Sequence, residues 1–141
     1  MFPSVPDCVF CRIVKGEIPC AEIYADARVL AFLDLNPQKP GHTLVIPKAH
    51  YPDIFAVPAE LFPDIFTVIQ KIGKALMTAT RADGLNILQN NRPAAGQSVF
   101  HAHWHLVPRH EADGLHHWPM GQYADKDEMA ALAAKIKGCL A

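Results

Sequence analysis

The sequence predicts an α+β chain with a mainly antiparallel sheet, and two observations carry that prediction. Short apolar runs of strand length recur between turn-forming residues, close enough along the chain to pair with their neighbours. Two other segments repeat their apolar residues every three to four positions, and they are inserted separately rather than alternating with the strands. The chain has 141 residues, half of them apolar and 19% charged. That is a globular composition with enough length for one core, so residues 1–141 are read as one domain.

Residues 22–34, EIYADARVLAFLD, read as two strands around a turn at 25–28, ending at Asp34. NPQKPG (36–41) is a loop by its prolines and glycine. HTLVIP (42–47) is a short strand that Pro47 closes. Over 58–80 the period changes: Leu61, Ile65, Val68, Ile69, Ile72 and Leu76 form one helical face. Pro63 falls in the first turn of that helix, where its missing N–H has no helical partner to lose. LNILQN (85–90) is strand-like, NRPAAG is a loop, and 98–107 is a further strand. Asp125 with Glu128 has the form of a capping box, opening a helix at about 125–140. Met129, Leu132, Ile136 and Leu140 lie on its apolar side, and the helix is expected either to cover the sheet or to extend a dimer.

Net charge is −1 with neutral histidines, so there is no basic excess of the kind that binds nucleic acid. A small nucleotide, held by a few hydrogen-bond donors, is not excluded. The N-terminus, MFPSVPDCVFC, has neither a basic n-region nor an apolar run, and no apolar stretch approaches a membrane span. A cytoplasmic protein without membrane or nucleic-acid partners is expected. Four cysteines in that compartment are not a disulfide framework. Cys20 and Cys139 are isolated and read as inert.

The stretch GQSVFHAHWHLVPRH (96–110) concentrates the chemistry. The chain has 8 histidines, and His101, His103 and His105 occupy alternate positions. On an extended strand they share one face, with successive Cα atoms about 6.5 to 7 Å apart, while Ala102, Trp104 and Leu106 turn towards a core. A face of three imidazoles needs partners for six ring nitrogens, so it lines a polar cleft, a metal site or both. Three ligands from one straight strand do not converge on one ion, which implies divided duties. An imidazole can attack phosphorus if its other nitrogen is held as a donor. Imidazoles on either side would then stabilise charge on the phosphoryl oxygens.

HAHWHLV resembles the defining motif of the histidine triad (HIT) family, three histidines alternating with hydrophobic residues. CVFCRIVKGEIP (8–19) and VLAFLDLNPQKPGHTLVIPKAH (29–50) also look like blocks of that family, in its order, so the resemblance covers roughly residues 7–110. It implies a five-stranded antiparallel sheet with helices, continued across a homodimer. It also implies a hydrolase or transferase acting at the α-phosphate of purine nucleotides, either nucleoside phosphoramidates or dinucleoside polyphosphates. By the same resemblance His103 would be the nucleophile, forming a covalent nucleotidyl-histidine that water hydrolyses. His105 would bond the α-phosphate, with His42 contributing a polar contact. Gln97 and Ser98 would orient the phosphate or leaving group. Asp34 would take the ribose hydroxyls, Leu35 would lie against the base, and Asn90 would order the phosphate side.

Cys8 and Cys11 form a C-x-x-C, which in a cytosolic protein means redox chemistry, zinc or nothing. The redox reading wants a βαβ context that PDCVFCRIVKGEIPC does not supply. Zinc needs two further ligands, and His50 and His101 are candidates. The resemblance implies the same set, a closed Cys₂His₂ site that is structural because it keeps no open position. Metal-free thiols in the core are the other reading. Beyond Arg109 the resemblance thins. Trp118 is either a dimer or base contact or a shielded aromatic of its own subunit, and His110, His116 and His117 are read as surface. Two other functions compete: a nucleotide-binding regulatory protein with little turnover, and a hydrolase with a catalytic zinc on all three histidines.

Overall fold

The structure, a computed structural model, describes residues 3–141. Five strands form one antiparallel sheet in the order β1-β2-β3-β5-β4. They are β1 (Glu22–Ala25), β2 (Val29–Leu33), β3 (Thr43–Pro47), β4 (Gly84–Leu88) and β5 (Trp104–Arg109). Three helices accompany them, α1 (Val9–Val14), α2 (Phe62–Thr80) and α3 (Lys126–Gly138). The turn expected between the first two strands is closed by Asp26, whose Oδ1 accepts the N–H groups of Arg28 and Val29.

β2 and β3 are buried on both faces, which is why VLAFL and TLVIP are continuous apolar runs rather than alternating ones. On one face Val29, Ala31, Val45, Trp104 and Leu106 pack against Ile65, Val68, Ile69, Ile72 and Leu76 of α2. Each such aliphatic side chain contributes about 1.5–3 kcal/mol of burial. On the other face Leu30, Phe32, Leu44 and Ile46 pack against Cys8, Phe10 and Cys11 of the α1 segment. That face carries the chemistry.

α2 begins at Phe62 after a single 3₁₀ turn at Ala59–Leu61, with Pro63 in its first turn as expected. The expected strand over 98–107 is shorter. It starts at Trp104, opposite Val45 of β3, so only His105 of the three histidines lies within it. The physical reason is that Ala102 donates its N–H to Tyr51 O, at 2.6 Å, instead of to the ladder. Ala102, Trp104 and Leu106 nonetheless face the core as expected.

The capping box forms at α3. Asp125 Oδ1 accepts the Glu128 N–H at 2.8 Å, and Glu128 Oε2 accepts the Ala124 N–H. The helix does not cover the sheet, however. None of its residues is buried, and Met129, Leu132, Ile136 and Leu140 are all exposed. His110 is also not a surface residue. It is half-buried, with Nε2 2.9 Å from Thr80 O. Trp118 is not shielded by its own subunit, being 74% exposed. Among the described residues no helix is long and apolar enough to cross a membrane.

Candidate active site and metal centre

The C-x-x-C begins α1. Cys8 caps the helix by accepting the Cys11 N–H on its Sγ, at 3.4 Å. Both thiols therefore turn to the same side, where His50 and His101 meet them. Cys8 Sγ lies 3.5 Å and Cys11 Sγ 3.7 Å from His101 Nδ1, and Cys11 Sγ lies 3.3 Å from His50 Nδ1. The four donor atoms are all within 4.8 Å of one another. A tetrahedral ion bonded at about 2.3 Å to sulfur and 2.0–2.1 Å to nitrogen separates those atoms by about 3.6 Å. The sulfur–nitrogen separations of 3.3 to 3.7 Å match that spacing, and the donor set suits such an ion. His101 is fully buried and its Nε2 lies 2.8 Å from Pro47 O. That carbonyl holds the ring proton on Nε2 and leaves the Nδ1 lone pair aimed at the thiols. Burial pushes the His101 imidazole down to about 4 and the Cys8 thiol up.

The two other triad histidines are held in opposite tautomers by their neighbours. His103 Nδ1 lies 2.6 Å from His101 O, so it carries the proton and Nε2 keeps its lone pair. A backbone donor sets the second relay: the Gln38 N–H donates to His42 Nδ1 at 3.0 Å. His42 Nε2 therefore bears the proton and donates it to His105 Nδ1 at 2.9 Å. His105 Nε2 is then a donor. Burial lowers all three imidazoles, His105 to about 4, so they are neutral at pH 7 and the tautomers are the ones the partners fix. Asp34 Oδ2, 3.7 Å from His42 Nε2, opposes part of that lowering.

Asp34, His42 and His105 also cluster closely enough for a metal. The relay argues against one, because His42 Nε2 has spent its valence on a proton. Gly41 (φ +94°) brings the loop in: a Cβ there would meet Pro108 and Thr80 side chains at 3.0 Å.

A cleft of about 430 Å³ opens beside the triad. Val9, Phe10, Ile13, Ile18 and Phe32 give it apolar walls, and Asp34, Ser98, His103 and His105 its polar groups. Leu35, 86% exposed, stands at its rim. Phe10 packs edge-to-face on His103, with ring centroids 5.1 Å apart. Two larger concavities, about 600 and 540 Å³, lie along β4 and the chain after β5. They hold none of the triad, and their central charges are spent on each other, Arg109 forking onto both oxygens of Asp113.

The structure thus gathers Cys8, Cys11, His50 and His101 into one cluster, and Asp34, Leu35, Ser98, His103 and His105 around one cleft, with His42 behind His105. Gln97 does not face that cleft. It is buried, its Oε1 accepts the Arg92 N–H at 2.6 Å, and its Nε2 donates to Pro52 O at 2.6 Å and Val99 O at 3.1 Å. Its polar valences are spent on backbone, so the expected contact with a phosphate gives way to a clamp on the loop that presents Ser98. Arg92, held by that clamp, has φ 72° and ψ 160°, a conformation costing roughly 1–3 kcal/mol for an L residue. Asn90 likewise lies outside the cleft, its amide nitrogen packed beside Gly96. Sequence reasoning missed Val9, Phe10, Ile13 and Cys20 as cleft residues. The signal was present in the apolar positions interleaved with the C-x-x-C.

Comparison with known proteins gives a consistent picture. The HIT domain family model matches residues 15–112. The Adenylylsulfatase HINT3 of Arabidopsis thaliana is 45% identical over 109 residues, 77% of this chain and 55% of its own length, so the chain spans little more than half of that relative. The Adenosine 5'-monophosphoramidase HNT1 of Candida albicans is 39% identical over 144 residues, covering 98% of this chain and 94% of its own. A Zn-bound histidine triad family protein from Mycobacterium smegmatis superposes with a TM-score of 0.74 at 38% identity, covering 95% of this chain and 98% of that one. With a family model spanning most of the chain and relatives this similar over most of its length, the chain belongs to the HIT family.

Proposed function

We propose that the chain is a nucleotidyl hydrolase that works through a covalent intermediate on His103. The carrying observation is the pair of opposed tautomers. His103 offers a bare Nε2 while its Nδ1–H is held by His101 O, and His105 offers an Nε2–H backed by His42 and the Gln38 amide. One nitrogen is arranged to attack and the other to donate to a phosphoryl oxygen. Asp34 suits a ribose diol, and the apolar walls of the cleft suit a purine base. The substrate class is nucleoside phosphoramidates or dinucleoside polyphosphates. Nucleophile and phosphorus form an N–P bond as the bond to the leaving group breaks, and water then cleaves the N–P bond to release the nucleoside monophosphate and restore His103.

Zinc is the ion assigned to Cys8, Cys11, His50 and His101, and its role is structural, because four protein donors leave no open position. When bound it fixes the α1 segment to the residue whose carbonyl orients His103. The reading includes a cytoplasmic setting, where the thiols stay reduced, and a homodimer that continues the sheet. The exposed Ile87 on the edge strand β4 supports that edge as the place.

His103→Ala tests the mechanism. Hydrolysis of adenosine 5'-phosphoramidate should fall by at least about 10⁴-fold, the scale on which loss of a covalent nucleophile acts, while AMP binding and metal content persist. Surviving turnover in the variant would show that attack does not pass through His103. A wild-type protein that binds AMP and turns over nothing would instead be a nucleotide sensor.

A further inference from the structure

The relay that gives His105 its Nε2–H starts at the Gln38 amide, and packing does not hold that amide in place. Gln38 lies between β2 and β3 in the segment 35–41, whose residues 35–38 and 40 are all exposed. Its side chain stands in the wall of the concavity of about 540 Å³, against open space rather than core. Pro37 and Pro40 stiffen the segment but have no N–H to donate. Among the described residues, nearly every hydrogen bond of the segment stays local. The Asn36 N–H donates to Asp34 Oδ1, the His42 N–H to Lys39 O, and the Thr43 hydroxyl to Gly41 O.

Lys39 is the exception. It is half-buried among exposed neighbours, although a lysine in a free turn would extend into water. Its Nζ donates to Asp113 O, 74 residues further along the chain. No carboxylate pairs with it among the described residues, so the ammonium is directed at that carbonyl. The turn that presents the carbonyl is itself fixed. The Asp113 carboxylate takes a fork from Arg109 and accepts the N–H groups of His110 and Leu115. Arg109 ends β5, the strand that carries His105. The contacts thus close a ring, from β5 through the Asp113 turn to Lys39, the Gln38 amide and His42, and back to His105.

We propose that Lys39 is a positioning residue for the nucleotidyl-transfer reaction. By tying 35–41 to the Asp113 turn, it keeps the Gln38 N–H on His42 Nδ1 and so decides which nitrogen of His105 carries the proton. Lys39 does not line the nucleotide cleft and touches no reacting atom. Without its ammonium the Gln38 amide is free to leave, and His42 can take its proton on Nδ1. The bond between the rings then reverses, with His105 Nδ1–H donating to His42 Nε2. His105 Nε2 would turn a lone pair, not a proton, towards a phosphoryl oxygen. Both arrangements hold the same number of protons, so the change is one of tautomer and not of charge. Its consequence for catalysis rests on the hydrolase reading; the tautomer does not.

The test is Lys39→Met, which keeps an aliphatic stem and removes the donor, with Lys39→Arg as the conservative rescue. Nitrogen NMR of protein labelled at its amides and histidine rings, without substrate, reads the tautomers. The wild-type protein and Lys39→Arg should show His42 and His105 protonated on Nε2, with a coupling across the hydrogen bond from Gln38 to His42 Nδ1. In Lys39→Met that coupling should vanish and both tautomers should appear. With adenosine 5'-phosphoramidate, kcat should fall about three- to tenfold in Lys39→Met, the factor by which one hydrogen bond biases an equilibrium. In Lys39→Arg it should stay close to wild type. Asp113→Ala, which keeps the carbonyl but releases the turn that presents it, should shift the same tautomers. Unchanged tautomers in Lys39→Met, or an unaltered kcat, overturns the positioning role and leaves the hydrolase reading standing. A wild-type protein that hydrolyses nothing overturns the hydrolase reading, and the catalytic role of Lys39 falls with it.

Discussion

Five imidazoles, those of His42, His50, His101, His103 and His105, crowd one end of this sheet, and their partners decide what each can do. The His101 carbonyl and the Gln38 amide act through different nitrogens, so His103 presents a lone pair and His105 a proton to the same cleft. Because burial lowers His103 below its ordinary 6.5, its unprotonated form persists into mildly acid solution. The acid limb of kcat/KM should therefore lie below pH 6.5, measurable with a substrate that does not titrate there. Stability follows the same sign. His105 is held near 4 in the folded chain and titrates near 6.5 when unfolded. Between those values the unfolded chain binds more protons, so the melting temperature should be flat above about pH 6.5 and fall as pH drops towards 4. A melting temperature that rose on acidification would contradict the burial argument.

At the scale of elements, the structure turns on α1 and on the loop before β5. α1 and its N-cap carry the candidate metal donors Cys11 and Cys8 and cleft walls at Val9, Phe10 and Ile13. Removing the donors should loosen the cleft as well as the fold. The double substitution Cys8→Ser, Cys11→Ser should lower the melting temperature and weaken AMP binding together, by calorimetry on one preparation. Gln97→Ala should cost about 2–3 kcal/mol in urea unfolding, since it removes three hydrogen bonds worth about 1 kcal/mol each. A variant of unchanged stability and lowered kcat would restore Gln97 to the phosphate. β2, β3 and α2 were legible because an apolar run or a 3.6 period survives any context. The start of β5 was not, because the Ala102 N–H turns to Tyr51 O, a partner 51 residues away in sequence. Gln97 was misplaced for a related reason. A Gln beside a Ser looks alike whether its amide meets a ligand or the backbone of Arg92, Val99 and the sequence-distant Pro52.

Across the whole molecule, one face of the sheet is devoted to stability and the other to chemistry. α2 seals the first, while α1, the Cys8–Cys11–His50–His101 cluster and the cleft occupy the second. The division explains how a chain of 141 residues keeps three buried and three half-buried histidines without losing its core. At the sheet edge, Ile87 and the unpaired side of β4 predict self-association. Ile87→Lys should convert a dimer to a monomer by sedimentation equilibrium, and a wild-type monomer would remove the dimer from the account. The central claim concerns one bond. Protein mixed with adenosine 5'-phosphoramidate and quenched in denaturant within a turnover should carry one adenylyl group, mapped by mass spectrometry to His103. Full turnover with no adenylyl adduct at any quench time, or with the adduct on another side chain, would contradict it.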